Sequence, residues 1–255
     1  MKQYKAYFID LDGTMYRGNE SIPGAAEFVE RLRIQSVPFM FLTNNSSSRP
    51  EQVAKKLNNL GIAAQHGQVF TSSLATASYL TSLQEKAKVY VIGEEGLYTA
   101  LEQEGHEITD QGADYVIIGI DRNISYEKLS LACLNVRNGA KLISTNKDAA
   151  IPTDRGMLPG NGALTSVVAV STGVEPIFVG KPEAVAMELA LSRIGLEKSE
   201  VLMVGDNYET DILAGINAGL ETLMVETGVS SFKDIQNMVK QPTYKVKDLY
   251  DWLKQ

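Results

Sequence analysis

The chain is poor in cysteine and histidine, and it has no long apolar run. A single cysteine, Cys133, in 255 residues rules out an internal disulfide and fits a reducing compartment. Its setting, SLACLNV, reads as the apolar face of a helix, where a free cysteine packs as a small hydrophobe. The two histidines, His66 and His106, lie in polar, loop-like contexts with no partner motif beside them. No stretch approaches the ~20 apolar residues needed to span a bilayer. Lys5 leads straight into an apolar strand, which leaves no room for a signal peptide. A soluble, cytoplasmic protein is expected. Positive charge is also in deficit, with 24 Lys and Arg against 31 Asp and Glu and a net charge of −7. That balance argues against nucleic acid or a membrane surface as partner, because both are polyanionic. GEEG (93–96) and GNG (160–162) do not make a GxGxxG fingerprint, and Lys181 sits in GKP, not in the GK[ST] of a P-loop. Neither a nicotinamide site nor a P-loop is expected.

What the chain does have is a set of apolar runs that end in chemically useful side chains. Ala6 to Ile9 run into Asp10 and Asp12, with Gly13 and Thr14 behind them, in FIDLDGT. Such a run reads as a buried strand of a parallel sheet, and ligand sites of open α/β sheets lie at the carboxyl ends of the strands. Two carboxylates there repel each other unless a cation or a shared proton holds them. The other reading is that Asp-Gly makes a turn and Asp12 caps the next segment. FMFLTNNS (39–46) ends in Thr43, Asn44 and Asn45; IFVGKP (177–182) delivers Lys181; VLMVGDNYETD (201–211) delivers Asp206 and Asp211. An acid-x-acid pair, a hydroxyl, a lysine and a second pair of acids are the inventory for phosphoryl transfer on an anionic substrate.

At 44% hydrophobic composition the chain can bury a substantial core, and strands alternate with helices, which predicts a parallel sheet covered on both faces. Helices are expected over 23–33 (Phe28, Val29, Leu32 inward), 50–61 (Val53, Leu57, Leu60), 182–195 (Val185, Leu189, Ile194) and 210–219, with a last one over 248–255. Pro50 to Gly61 and Pro182 to Gly195 each frame a helix from its first turn to its C-cap. Thr14 to Thr43 leaves room for one crossover, whereas Thr43 to Lys181 is far too long for one. The excess carries its own strands, KVYVIG, DYVIIGI and KLISTN, with helices between them. The expected division is a core of 1–79 and 178–255 with an inserted α/β domain of 80–177, joined by two short hinges. Residues 145–165, rich in Gly, Pro, Asn and Asp, are expected to form a loop.

In its four ordered motifs, DxDGT, the Thr-Asn strand end, GKP and GDNxxTD, the chain resembles the haloacid dehalogenase superfamily of phosphohydrolases. Within it the chain looks like the NagD-type branch, which includes p-nitrophenyl-phosphatase-like and acid-sugar phosphatases. The resemblance implies a doubly wound, Rossmann-like α/β core, and an inserted α/β cap that closes over it and sets specificity. It implies Asp10 as nucleophile and Asp12 as acid/base, with Mg²⁺ held by the Asp10 side chain, the Asp12 carbonyl and the Asp206 side chain. Asp211 is then expected to orient Asp206 or a metal-bound water; capping of the following helix is its other reading. Thr43 and the amides around Asn44 and Asn45 would hold phosphate oxygens, Gly13 would permit the tight turn that lets amides approach them, and Lys181 would balance charge. Asn146 and Asp148 are candidate substrate-facing residues of the cap. The implied activity is Mg²⁺-dependent hydrolysis of small phosphomonoesters through an aspartyl phosphate. Sugar and acid-sugar phosphates come first and nucleoside monophosphates second, and a cap of this kind can pair as a homodimer. A phosphomutase and a non-catalytic metabolite sensor are the alternatives.

Overall fold

The computed structural model of the chain describes residues 2–153 and 155–254. Contacts divide it into two compact units. The first takes the chain up to Thr43, Pro50–Phe70, and everything from Lys181 onward; the second takes Asn44–Arg49 and Thr71–Gly180.

The first unit is built on a six-stranded sheet in the order Tyr244–Val246, Glu221–Val225, Val201–Gly205, Ala6–Ile9, Phe39–Thr43, Val69–Thr71. The four pairings from Tyr244–Val246 across to Phe39–Thr43 are all parallel. Strands such as FMFLT and VLMVG are buried along almost their whole length, as a sheet covered on both faces requires. From Ala6–Ile9 the chain winds outward through Phe39–Thr43 to Val69–Thr71. It later returns to Val201–Gly205, on the other side of Ala6–Ile9, and winds the opposite way. The order therefore reverses between Ala6–Ile9 and Val201–Gly205, and a ligand crevice opens outside the carboxyl ends of strands at such a switch point. Register places Ile9 opposite Val204, so Asp10 and Asp206 leave the sheet nearly side by side.

Helices Ala25–Ile34 and Pro50–Asn59 bury Phe28, Val29 and Leu32, and Val53 and Leu57, as their spacing predicts, while Leu60, also expected inward, lies past the helix end and is half-buried. Helix Ala184–Ile194 differs. It buries Ala186, Met187, Ala190 and Leu191, whereas Val185, Leu189 and Ile194, expected inward, are only half-buried. AVAMELALSRI is apolar on most of its circumference, so periodicity does not single out one stripe. The expected helix 210–219 begins instead with a turn of π-helix, Tyr208–Ile212, and becomes α-helical over Leu213–Ala218.

The second unit has its own parallel sheet, ordered Ile177–Phe178, Lys141–Ser144, Tyr115–Ile118, Lys88–Ile92, Glu107–Ile108. Cys133 is buried in its core beside Ile92, Val116 and Leu142. Two expectations change here. The strand in IFVGKP, expected in the core sheet, pairs with Lys141–Ser144 of the second sheet, and the chain passes to the first unit only at Lys181. Residues 145–165 are not one loop: Ala150–Thr153 and Gly156–Pro159 form an antiparallel hairpin, and a helix starts at Asn161.

The second unit also begins earlier than residue 80. Helix Ser72–Leu83, capped by the Thr71 hydroxyl, belongs to it, and so does the serine run after Thr43. Ser46 Oγ accepts from Ile120 N at 2.9 Å and Ser46 O from the Ser73 hydroxyl at 2.9 Å. Ser47 O accepts from Gly96 N at 2.9 Å. These bonds tie 44–49 to the second unit, so the chain crosses between units four times where two hinges were expected. Among the described residues no helix is long and apolar enough to cross a membrane.

Candidate active site

Asp10 follows the strand Ala6–Ile9, and its amide still donates to Val204 O at 2.9 Å, which fixes its backbone against the neighbouring strand. Asp206 follows Val201–Gly205 and is fully buried. Asp211 lies one turn further on, in the π-helical turn, where its Oδ2 accepts from the Asn207 amide at 3.0 Å. The residue that caps this turn is Asn207, whose side-chain oxygen accepts from Glu209 N. Carboxylate oxygens of Asp10, Asp206 and Asp211 lie within 4.8 Å of one another.

Lys181, buried, reaches into this cluster. Its Nζ donates to Asp10 Oδ1 at 2.5 Å, to Asp211 Oδ1 at 2.7 Å and to Leu42 O at 3.1 Å. Burial works to lower the Lys181 pKa, but the carboxylates of Asp10 and Asp211 outweigh it and raise it. Asp10 is raised well above the usual carboxylate range by burial and by Asp211, against the pull of Lys181. Asp206 is pushed up to about 6 by burial and Asp211, against the hydrogen bonds it accepts from Val229 and Thr14. Three carboxylates and one ammonium leave two negative charges uncompensated when all are ionised. Buried carboxylates in that balance must take up protons or hold a cation. An all-oxygen, all-carboxylate donor set with one charge-balancing lysine suits a hard divalent ion.

Asp12 lies outside the cluster, partly exposed and partly covered by the protein around it. Its pKa is raised, and the cause is burial of the carboxyl by the protein around it; the charges that act on it most are Lys56 and Arg17, which lower it. Neighbouring carboxylates are not among its causes. Lys56 itself rests over the ring of Tyr16, 3.7 Å from its centroid, and Tyr16 is bridged to Asp12 through the backbone.

Gly13 has φ +92°, and a Cβ there would lie 2.4 Å from Asp206 Oδ2. Its glycine is thus required by the close approach of Asp206 and by the left-handed backbone, and its amide donates to Tyr16 O at 2.8 Å. Thr14, the last residue of the DxDGT motif, donates its hydroxyl to Asp206 Oδ1 at 3.0 Å. The segment Thr227–Ser230 carried no motif in the sequence, yet Val229 N donates to Asp206 Oδ2 at 2.7 Å.

Thr43 ends the strand Phe39–Thr43, and Asn44 and Asn45 follow it into the second unit. The Asn45 side-chain oxygen folds back onto Ser47 N and Ser48 N, both at 2.9 Å. Asn44 Nδ2 donates to both Asp148 oxygens at 3.2 Å, and Asn44 O accepts from Asn146 Nδ2 at 2.9 Å. Asn146 Oδ1 in turn accepts from Asp148 N at 3.1 Å. Asn146 and Asp148 are therefore joined to Asn44 in one network of the second unit. His106, read as lying in a polar loop, is buried: its Nδ1 accepts from Ala87 N at 3.2 Å and its Nε2 lies 3.1 Å from the Thr81 hydroxyl.

Comparison with known proteins is consistent across most of the chain. Residues 7–107 match the haloacid dehalogenase-like hydrolase family, and residues 178–252 match the HAD-hydrolase-like family. The chain is 54% identical over 253 residues to the 5'-nucleotidase YutF of Bacillus subtilis, covering 99% of each. It is 55% identical over 250 residues to the acid sugar phosphatase of Staphylococcus aureus, covering 98% of this chain and 96% of that one. A thermostable NPPase of Geobacillus stearothermophilus, solved as a double mutant, superposes with a TM-score of 0.94 at 54% identity, covering 99% of each.

Proposed function

From a chain that belongs to the haloacid dehalogenase-like hydrolases, as a phosphatase of the NagD-like type, we propose a Mg²⁺-dependent phosphomonoesterase that works through an aspartyl phosphate on Asp10. The observation that carries this is the buried cluster of Asp10, Asp206 and Asp211 pinned by Lys181 at the sheet's switch point. In the proposed reaction an Asp10 oxygen forms the bond to phosphorus as the ester P–O bond breaks. Asp12 protonates the departing oxygen, then takes a proton from the water that attacks the aspartyl phosphate and frees Asp10. A raised Asp12 pKa favours the first of these roles. Lys181 holds Asp10 in place and balances charge on the transferred group. Thr43 and the backbone amides around Asn44 and Asn45 hold phosphate oxygens, and Gly13 sets the turn beside them. Mg²⁺, held by the Asp10 and Asp206 side chains and the Asp12 carbonyl with Asp211 in support, would screen the clustered charge and polarise the phosphoryl group.

The second unit acts as the specificity-setting cap, with Asn146 and Asp148 among its determinants. The substrates proposed are sugar or acid-sugar phosphates first and nucleoside monophosphates second; relatives at similar identity carry names from both classes. A cytoplasmic location completes the reading, and a cap of this kind can pair as a homodimer. The test is phosphate release across sugar phosphates, acid-sugar phosphates and nucleotides with Mg²⁺ or EDTA. Metal-dependent release ranks the substrates and supports the reading; no release from folded, metal-loaded protein on any of them contradicts it.

A further inference from the structure

Both oxygens of the Asp206 carboxylate are already addressed by the protein, one from each side. Thr14 donates to Oδ1 at 3.0 Å, and Val229 N donates to Oδ2 at 2.7 Å. The Val229 amide belongs to a four-residue turn, Thr227-Gly228-Val229-Ser230, that follows the strand Glu221–Val225. Ser230 N donates to Asp206 O at 3.2 Å, and the Tyr208 amide donates to Ser230 Oγ at 3.0 Å. At the other end of the turn, the Thr227 hydroxyl donates to Gly13 O at 2.7 Å, while Thr227 O accepts from the Arg17 guanidinium at 2.5 Å. The turn thus holds Asp206 by its carboxylate and its main chain, and holds the DxDGT loop by the carbonyl of Gly13.

Gly228 sits at the closest point. A Cβ on it would fall 1.8 Å from Asp206 Oδ2 and 2.3 Å from its Cγ. A Cβ on Gly13 would fall 2.4 Å from the same oxygen. Both α-carbons therefore approach the carboxylate closely, and a single methyl group at residue 228 must displace it. The same methyl would lie 2.8 Å from the Asp206 Cβ, so the change displaces the whole of a buried, hydrogen-bonded side chain.

We infer that the Thr227–Ser230 turn is a positioning element for the metal site, with Gly228 setting where the Asp206 carboxylate stands and Thr227 tying it to the DxDGT loop. The inference rests on the reading of the aspartate cluster as a divalent-metal site. A carboxylate oxygen offers two lone pairs, and one on each Asp206 oxygen is engaged by Thr14 or Val229. The direction of the remaining pairs is then fixed by the protein before any ion arrives. Groups that orient a metal ligand in this way typically change metal affinity ~10–100-fold when altered.

The experiment measures Mg²⁺ affinity by calorimetry, and thermal stability in EDTA, on the full-length wild-type chain and on Gly228→Ala, Thr227→Val and Thr227→Ser. The expected result is that Gly228→Ala, with folding checked by its melting temperature in EDTA, binds Mg²⁺ at least ~10-fold more weakly. Thr227→Val, which removes one hydrogen bond, weakens binding about fivefold, and Thr227→Ser restores it. Wild-type affinity in both Gly228→Ala and Thr227→Val overturns this inference alone. Absence of Mg²⁺ binding by the wild-type chain overturns the metal-site reading, and this inference with it. If Gly228→Ala does not fold, the contrast between Thr227→Val and Thr227→Ser decides, and equal affinities in those two overturn the inference.

Discussion

Replacing Lys181 by methionine removes an ammonium group while keeping most of the stem that fills its channel. The wild-type Nζ bonds to Asp10, Asp211 and Leu42 O at 2.5, 2.7 and 3.1 Å. Each charge-assisted bond is worth about 1.5–3 kcal/mol, but the sum overstates the loss, because the desolvation cost of burying the ammonium disappears with it. Removing one partner of a buried ion pair measures the net effect more directly, at about 3–5 kcal/mol. At ~2–4 °C per kcal/mol for a chain of this size, the melting temperature in EDTA should fall by roughly 6–20 °C. Divalent metal should then recover part of the loss, because a bound cation supplies the charge that the lysine no longer does. The assay is a circular-dichroism melt of both proteins with EDTA and with Mg²⁺, beside turnover of an aryl phosphate. Turnover should be abolished in both conditions. A Lys181→Met protein that melts within 2 °C of wild type in EDTA would show that the lysine does not hold the cluster together, and the electrostatic reasoning would fail.

Burial depresses the His106 pKa from its usual 6.5, and its Nδ1 accepts a backbone hydrogen bond that only the neutral ring can accept. The unfolded chain therefore binds the proton first, so stability should decline as pH falls below about 6.5 and stay level above it. His106→Gln should flatten that dependence; an unchanged pH slope in the variant would assign the effect elsewhere. Asp12→Ala should slow breakdown of the aspartyl phosphate and leave phosphorylated protein visible as added mass in an acid-quenched sample. Fast turnover with no trapped species would remove Asp12 from the acid/base role. Asn146→Ala should reorder preference among sugar phosphates and nucleotides more than it lowers activity on an undemanding aryl phosphate. A uniform loss would mean that Asn146 acts only through its bond to Asn44.

The strands that carry the candidate site were legible because each is an apolar run, the pattern a buried parallel strand imposes, that ends abruptly in polar or charged side chains. Asp10, Asp206, Asp211 and Lys181 could be named for that reason, and the structure brings all four together. What joins them was less legible. Gly228 and Val229 act through a Cα–H face and a backbone amide, which leave no side-chain signature. Thr14 was visible in the motif, but its bond to Asp206 spans 192 residues of sequence. The unit boundary was misplaced at 80 because helix Ser72–Leu83 is weakly patterned, with small residues such as Ser72, Ser73, Ala75 and Ala77 on its buried side. IFVGKP reads equally well as a strand of either sheet, since a parallel pairing partner cannot be inferred from two apolar residues. His106 followed the same logic in reverse, its polar neighbours in sequence hiding a buried position.

The most direct test of the central claim is turnover of a phosphomonoester by Asp10→Asn with Mg²⁺ present. The change keeps the size of the side chain and its place beside Lys181 while removing the nucleophilic charge. Because uncatalysed monoester hydrolysis is among the slowest reactions known, with accelerations up to ~10²¹, loss of the nucleophile should leave almost no turnover in a protein that melts as a folded chain. Activity above about a tenth of wild type would contradict catalysis through an aspartyl phosphate on Asp10.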